Sequence, residues 1–275
     1  MTDLKGKVVV VTGAGSGIGR ALAVALVQRG AEVAYSDVNE NGLAETKALL
    51  SGKGRSSSHV LDVSKRDQWA RHAADVEAQH GGADVIINNA GVAIRTNFEN
   101  LSIEDFEFVM NINFWGVIYG SKTFLPLMRK RGAGHIVNIS SINGIVPFAN
   151  QTPYNCSKYA VLGFSETLMQ ELRGQPISIT SVHPGGIRTN IARSARGMKP
   201  KEAANFDKIA MTSSESAAAQ IIRGIEKNRE RVYVGADAKL MNAGKRLLPS
   251  LTVNFFGRAS GDKGGILDRG AKSKG

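Results

Sequence analysis

The sequence predicts a doubly wound α/β fold, in which one seven-stranded parallel sheet is covered by helices on both faces. Strand-like runs alternate with helix-like segments along the 275-residue chain. No two strand-like runs are close enough to form a hairpin, so each connection is a crossover that leaves neighbouring strands parallel. The composition, 42% hydrophobic and 21% charged, suits one large core. A second domain is not required.

Seven short runs have the composition of buried strands. They are Val8–Thr12, Glu32–Ser36, Ser58–Leu61, Val85–Asn88, His135–Ser140, Ile177–Val182 and Arg231–Val234. Six other segments carry apolar residues at helical spacing. They are Ala21–Arg29, Gly42–Leu50, Asp67–His80, Ile103–Lys130, Tyr154–Arg173 and Ser216–Lys227. In such a fold the functional site is expected at the carboxyl ends of the strands.

The composition changes after Leu248, where Pro, Gly and Lys replace periodic apolar residues. We therefore expect one folded domain over residues 1–248 and a basic tail over 249–275. The net charge is +11, and from Lys239 onward eight basic residues stand against two acidic ones. Nucleic-acid binding needs clustered Lys and Arg, but a short, Gly-rich basic end is more often solvated. We expect no nucleic-acid partner.

No apolar run reaches the roughly 18 residues that a membrane span needs. The N-terminal MTDLKGK lacks the apolar core of a signal peptide. A soluble, cytoplasmic protein is expected. Cys156 is the only cysteine, so it has no partner for an internal disulfide or for a metal site, and none is expected.

Four glycines separate the first strand from the first helix, in the stretch TGAGSGIG. Glycine lets such a turn close tightly and lets a pyrophosphate reach main-chain N–H groups at a helix N-terminus. Gly13, Gly17 and Gly19 follow the spacing G-x-x-x-G-x-G instead of the commoner G-x-G-x-x-G. The strand before and the helix after favour a dinucleotide site over an ordinary tight turn.

Asp37 ends the second strand, eighteen residues after Gly19. A carboxylate in this position can accept hydrogen bonds from both hydroxyls of an adenosine ribose, whereas it repels a 2′-phosphate. No Arg or Lys stands at Ser16 or Val38 to offset that repulsion. The sequence therefore predicts NAD, with NADP less favoured; the alternative is an ordinary turn aspartate.

Tyr154 and Lys158 are four residues apart on one predicted helix, so their side chains share a face. Such pairs are common on solvated helices, but here Ser140 and Ser141 also end a predicted strand at the site edge. A neighbouring ammonium lowers the pKa of a tyrosine from its usual value of about 10. The cluster therefore indicates acid–base catalysis.

Taken together, the motifs resemble those of the classical short-chain dehydrogenase/reductases over roughly residues 5–235. In chain order they are TGAGSGIG (12–19), Asp62-Val63, NNAG (88–91), Asn113 within INFWG, Ser141, YNCSK (154–158) and PGGIRT (184–189). The resemblance implies a single-domain Rossmann fold. It also implies an NAD(P)-dependent oxidoreductase that transfers a hydride between a nicotinamide cofactor and an alcohol or ketone.

The resemblance further implies which residues bind the cofactor, with Asp62 and Val63 beside the adenine and Ile187 and Thr189 at the carboxamide. The full set is Gly13, Ser16, Gly17, Ile18, Gly19, Asp37, Asp62, Val63, Asn89, Ala90, Gly91, Tyr154, Lys158, Pro184, Gly185, Ile187 and Thr189.

By the same resemblance, Tyr154 would exchange a proton with the substrate oxygen, and Ser141 would hydrogen-bond that oxygen. Lys158 would hold the nicotinamide ribose and lower the pKa of the tyrosine. Asn113 would hold a water that links Lys158 to solvent. Only the family spacing of about thirteen residues to Tyr154 selects Ser141 over Ser140.

The substrate pocket follows no such code. We expect Val92, Ile142, Pro147 and Phe148 to line it, and no charged residues converge among them. This predicts an apolar secondary alcohol or ketone, which could be bulky or steroid-like. The segment 190–212 resembles the mobile substrate lid of the family.

Two alternatives remain open. One is a non-catalytic, nucleotide-binding regulator of the same fold, but such a protein would be expected to lack Tyr154 or Lys158. The other concerns the segment KRLLPSLTVNFFGRA (245–259), which mixes basic with apolar residues. It could lie on an anionic membrane surface, in a subunit interface or over the active site, and we favour the membrane contact least.

The predicted helix Ile103–Lys130 carries more aromatic area than one face against a sheet requires. The aromatic residues are Phe106, Phe108, Phe114, Trp115 and Tyr119. Family members pair this helix and the next across a subunit interface. The resemblance therefore implies a homodimer or a homotetramer.

Overall fold

The computed structural model describes residues 3–189, 191, 195–198 and 200–260. Within these residues the strands are β1 Val8–Thr12, β2 Glu32–Asp37, β3 Ser56–Val60, β4 Val85–Asn88, β5 Gly134–Ile139, β6 Ile177–Pro184, β7 Ile187–Arg188, β8 Thr212–Ser213 and β9 Arg231–Val234. The helices are α1 Gly17–Gln28, α2 Glu40–Leu50, α3 Arg66–His80, α4 Ile103–Met110, α5 Gly116–Lys130, α6 Thr152–Glu171, α7 Pro200–Ile209, α8 Ser214–Glu226, α9 Ala236–Leu247 and α10 Pro249–Ser260.

Seven strands form one sheet in the order β3-β2-β1-β4-β5-β6-β9, and every pair is parallel. This confirms the predicted fold. The chain runs outward from β1 to β3 and then returns to β4 on the other side of β1. The carboxyl ends of β1 and β4 therefore meet at a switch point, where such sheets open a crevice for ligands.

The core explains why β1 is an unbroken run of valines. Val9 packs into a cluster with Leu22 of α1, whereas Val10 points to the opposite face and shares a cluster with Phe124 of α5. Successive side chains of a strand alternate between faces. Because helices cover both faces, every position must be apolar, as is typical of parallel sheets.

The segment predicted as one helix from Ile103 to Lys130 is interrupted by a π-helical turn over Asn111–Trp115. The turn lies between α4 and α5 and contains Asn113, which is buried. Single π-helical turns inside α-helices are often found at functional sites.

The C-terminal region differs from the expected tail. Helix α9 follows β9 directly, and α10 extends over Pro249–Ser260; the remainder, 261–275, lies outside the described residues. Helix α7 falls within the expected lid at 190–212, and strand β8 begins at its last residue; residues 190, 192–194 and 199 of this segment are not described. Among the described helices, none has the length and apolar composition needed to cross a bilayer.

Candidate active site

A cavity of about 600 Å³ opens at the carboxyl ends of the strands that meet at the switch point. This volume is typical of ligand pockets. Most residues selected from the sequence lie on its wall: Gly13, Ser16, Gly17, Ile18, Asp37, Asp62, Val63, Asn89, Ala90, Gly91, Val92, Ser141, Ile142, Phe148, Tyr154, Lys158, Pro184, Gly185, Ile187 and Thr189. Gly19, Asn113 and Pro147 are not on the wall.

The turn between β1 and α1 requires glycine for two separate reasons. Gly13 and Gly17 have φ angles of 67° and 53°, which side-chain-bearing residues rarely adopt. A Cβ atom on Gly13 would also lie 2.7 Å from the Cα atom of Ala90, and one on Gly19 would collide with the Gly13 carbonyl. The resulting bare backbone, followed by a helix N-terminus on the cavity wall, is the kind of site that accepts a pyrophosphate.

Hydrogen bonds from the NNAG segment hold this turn in place. The Asn89 side-chain amide donates to the Thr12 carbonyl at 2.8 Å. The Thr12 hydroxyl accepts from the backbone N–H groups of Asn89 and Ala90 at 3.0 and 3.1 Å. The end of β4 is thereby tied to the end of β1, which fixes two walls of the cavity relative to each other.

The Asp37 carboxylate is oriented by backbone donors. One oxygen accepts from the Gly15 N–H at 2.8 Å, and the other accepts from the Asn39 N–H at 2.9 Å. Each carboxylate oxygen has two lone pairs, so both keep acceptor capacity toward the cavity. Arg20 contacts the Gly15 carbonyl and is already paired with Glu45 at 2.6 Å.

Asp62 and Val63 follow β3, the strand next to β2, and both line the cavity beyond Asp37. One Asp62 oxygen accepts from the backbone N–H and from the hydroxyl of Ser64, at 3.0 and 2.7 Å. This local turn holds the Asp62 carboxylate at the wall.

Tyr154 and Lys158 project from α6 toward the end of β5. The Ser141 hydroxyl donates to the Asn143 side-chain oxygen at 3.3 Å, and it lies close enough to the Tyr154 hydroxyl to lower the pKa of Tyr154. The Lys158 ammonium donates to the Ile139 carbonyl at 3.0 Å and lies 5.5 Å from the centre of the Tyr154 ring. Ser140 is engaged differently, because its hydroxyl donates to the Lys158 carbonyl at 2.8 Å.

The electrostatics of this pair differ from the sequence-based expectation. We expected Lys158 to lower the pKa of Tyr154, but burial raises that pKa and outweighs the lowering effect of the Ser141 hydrogen bond. Burial also lowers the pKa of Lys158 to about 8. Removal from water disfavours the charged form of each group, phenolate and ammonium alike. Tyr154 therefore keeps its proton at neutral pH.

Asn113 lies behind the cavity wall. Its side-chain amide donates to the Val92 carbonyl at 2.9 Å and to the Ser157 hydroxyl at 3.0 Å, and its oxygen accepts from the Val92 N–H at 2.8 Å. A Cβ atom on Gly91 would lie 3.2 Å from that oxygen and 3.5 Å from the Lys158 nitrogen. The described contacts of Asn113 thus fix the backbone of Val92.

Sequence reasoning missed Asp237, which lines the cavity from the first turn of α9. Its carboxylate accepts from the Gly186 N–H at 2.6 Å. Side chains at Gly185 or Gly235 would collide with the same carboxylate. The available signal was its position two residues after the Gly that follows β9, because β9 is the neighbour of β6 in the sheet.

The cavity wall also carries many apolar side chains. The expected Val92, Ile142 and Phe148 are joined there by residues that the sequence did not single out: Ile94, Ile191, Met198, Phe206, Met241 and Phe256. The centres of the Phe148 and Phe256 rings are 6.0 Å apart, so α10 closes part of this wall. Pro147, also expected here, is not among the lining residues.

One charged side chain departs from the expected uncharged wall. Arg95 is buried on the wall and forms an ion pair with Glu202 of α7, at 3.5 Å. The backbone N–H of Arg95 donates to the Arg196 carbonyl at 2.8 Å, and Arg196 pairs with Asp105 of α4 at 2.9 Å. These contacts dock the described part of the 190–212 segment against the cavity.

Comparison with known protein families agrees with these motifs. A family model described as short chain dehydrogenase matches residues 7–200. SadH of Mycobacterium tuberculosis, named as an oxidoreductase, is 42% identical over 258 residues, which cover 91% of this chain and 94% of that protein. A 3-oxoacyl-[acyl-carrier-protein] reductase, FabG of Thermotoga maritima, is 37% identical over 187 residues, covering 68% of this chain and 76% of its own.

Solved structures show the same fold. A short chain dehydrogenase/reductase from Burkholderia phymatum, in complex with NAD, superposes with a TM-score of 0.82 at 27% identity, covering 90% of this chain and 96% of that one. A levodione reductase superposes with a TM-score of 0.80 at 27% identity, covering 86% of this chain and 99% of its own.

Proposed function

The chain belongs to the short-chain dehydrogenase/reductase family of oxidoreductases, and on that premise we propose that it interconverts apolar ketones and secondary alcohols with NAD. The observation that carries this proposal is the cluster of Ser141, Tyr154 and Lys158 on the wall of a cavity that begins at the glycine turn. The presence of both Tyr154 and Lys158 argues against a regulator that binds nucleotide without catalysis.

The residues of the cavity fit a nicotinamide dinucleotide, since the glycine turn leaves bare backbone at the α1 N-terminus. In the proposal that turn holds the pyrophosphate, Asp37 the adenosine ribose, Asp62 and Val63 the adenine, and Ile187 and Thr189 the carboxamide. When bound, the nicotinamide supplies or accepts the hydride.

The proton chemistry belongs to the chain's own residues. For reduction, Tyr154 donates its proton to the carbonyl oxygen, and Ser141 hydrogen-bonds that oxygen as negative charge develops on it. A raised pKa favours this direction, because it keeps Tyr154 protonated at neutral pH. Oxidation needs the deprotonated tyrosine and should therefore gain rate as the pH rises.

The apolar substrate is supported by the apolar part of the cavity lining, to which Phe148, Phe206 and Phe256 contribute aromatic area. The charge of Arg95 is already paired with Glu202. The name of one relative, a 3-oxoacyl reductase, agrees with a keto group as the reacting function. We propose a bulky or steroid-like apolar ketone as the substrate class.

We further propose one catalytic domain over residues 1–248, with its lid at 190–212, assembled as a homodimer or homotetramer. Because Phe256 of α10 lies on the cavity wall, residues 249–260 serve this domain as well. The basic tail is then limited to the residues after 260.

A panel of ketones with reduced cofactor, and of alcohols with oxidised cofactor, tests the proposal through the absorbance of reduced nicotinamide. Tyr154→Phe removes the proton donor but keeps the ring, so turnover should fall by about 10²–10⁴-fold with cofactor affinity retained. Ser141→Ala should lose far more activity than its matched control Ser140→Ala. A Tyr154→Phe enzyme within a few-fold of the parent would contradict the mechanism.

A further inference from the structure

The hairpin of α9 and α10 exposes large apolar side chains to an unusual extent. Leu240, Leu247, Leu248, Leu251 and Phe255 are 71, 78, 56, 65 and 64% exposed. We call these five side chains the hairpin patch. Single exposed leucines are ordinary on protein surfaces, but five within sixteen residues of two contacting helices indicate an interaction surface.

The hairpin is also basic. Lys239, Lys245 and Arg246 lie on α9, and none of the three takes part in an ion pair within the described residues. Asp237 is the sole acidic residue between 236 and 260, and its carboxylate is turned toward the Gly186 N–H. The hairpin therefore offers positive charge beside apolar side chains, which is complementary to an anionic lipid surface.

Two phenylalanines connect the hairpin patch with the cavity. Phe256 lies on the cavity wall next to Phe148. The ring of Phe255, which is exposed, is 5.1 Å from the ring of Phe256. An apolar path thus runs from the outer surface of α10 to the part of the cavity where the substrate is proposed to bind.

Although the sequence favoured a membrane contact least, we propose from the exposure and charge of the hairpin patch that it docks the protein on the surface of an anionic lipid bilayer. A second copy of the chain fits this surface less well, because a two-fold contact between hairpins would bring the same three cations together, and residues 236–260 carry no acid other than Asp237. Delivery of an apolar substrate from the bilayer along Phe255 and Phe256 follows from the docking, and this step rests on the proposed function. The docking itself is independent of the proposed function.

Flotation of the full chain with phosphatidylcholine vesicles, with and without phosphatidylglycerol, tests the proposal. The parent should bind the anionic vesicles, and binding should weaken as salt is raised. The double variant Leu251→Ser/Phe255→Ser should bind at least tenfold more weakly, and so should Lys245→Glu/Arg246→Glu. The matched control Phe98→Ser/Ile103→Ser removes two comparably exposed apolar side chains elsewhere and should bind like the parent.

Circular dichroism and a thermal melt establish that each variant is folded. Absence of binding to anionic vesicles would overturn the proposal, as would equal binding by the parent and the hairpin variants. A smaller sedimenting species for Leu251→Ser/Phe255→Ser, with vesicle binding unchanged, would assign the patch to a subunit interface instead. Intact vesicle binding without turnover of any ketone would refute the proposed function alone.

Discussion

The Asp37 carboxylate is held by two backbone N–H groups, so its charge occupies a fixed place at the cavity wall. If it accepts the ribose hydroxyls, the parent should prefer NAD over NADP by at least about tenfold in kcat/KM, which corresponds to about 1.4 kcal/mol. Asp37→Ser should shrink this preference from both sides, because NAD loses hydrogen bonds and NADP loses a repulsive neighbour. Initial rates with both cofactors measure the change.

Asp37→Asn is the matched control, because it removes the charge and keeps an acceptor for the Gly15 N–H. It should improve NADP use while costing NAD less than the serine variant does. A parent enzyme that is faster with NADP would show that the carboxylate does not govern the choice.

Asp237 lies outside the predicted motifs, but its carboxylate supports the PGGIRT turn, which is proposed to hold the cofactor, by accepting from the Gly186 N–H. Asp237→Ala leaves the Gly186 N–H without its acceptor at 2.6 Å, and hydrogen bonds to charged groups are worth about 1.5–3 kcal/mol. We expect the KM for the cofactor to rise about tenfold or more, with a smaller change in kcat. Asp237→Asn keeps an acceptor and should lose less. An unchanged cofactor KM in the alanine variant would show that Asp237 does not contribute to cofactor binding.

At the scale of elements, the aromatic face of α4 and α5 predicts that the protein assembles into an oligomer. Trp115 is 44% exposed and stacks on Tyr119, with ring centres 5.8 Å apart. We expect a dimer or tetramer in sedimentation at micromolar concentration, because burial of this face between subunits removes aromatic area from water. Trp115→Glu should shift the protein toward smaller species, whereas Val60→Glu on the edge strand β3 should not. A parent that sediments as a monomer would contradict the assembly.

The strands of the sheet were predictable because burial on both faces leaves an apolar run in the sequence, as in β1. The π-helical turn at Asn113 was not, since its hydrogen bonds reach Val92 and Ser157, far along the chain. Helix α10 was interpreted as a tail because of its Pro, Gly and basic residues, although Phe256 packs near Phe148. The local sequence pattern predicts secondary structure through its periodicity, but it does not predict contacts between segments that are distant in the chain.

The same limit applies to the site. The glycine turn, Asp37 and the Tyr154–Lys158 pair have local signatures in spacing and position. Asp237 offers only its position two residues after Gly235, and the importance of that position arises only when β9 is placed beside β6. The raised pKa of Tyr154 was likewise out of reach, because it depends on the burial of the phenol and not on its neighbours in sequence.

For the molecule as a whole, burial of neutral histidines couples stability to pH. Burial lowers the pKa of His72 to about 3 and the pKa values of His135 and His183 to about 4. In the unfolded chain the histidines have pKa values of about 6.5. Between these values the unfolded state binds more protons, so the free energy of unfolding must fall as the pH is lowered below about 6.5. The stabilisation is fully present above that pH.

Part of the slope of unfolding free energy against pH can be assigned to a single histidine. Each buried histidine contributes up to about 1.4 kcal/mol per pH unit, so the three together should contribute several times the effect of one. His72→Leu replaces a side chain whose two ring nitrogens have no partner within the described residues, and it should reduce the slope by up to about 1.4 kcal/mol per pH unit. The free energy of unfolding is measured with urea between about pH 5.5 and 7. This range lies above the main titration range of carboxylates, so the measured slope reports the histidines. An identical slope in the parent and in His72→Leu would mean that folding does not lower the pKa of His72.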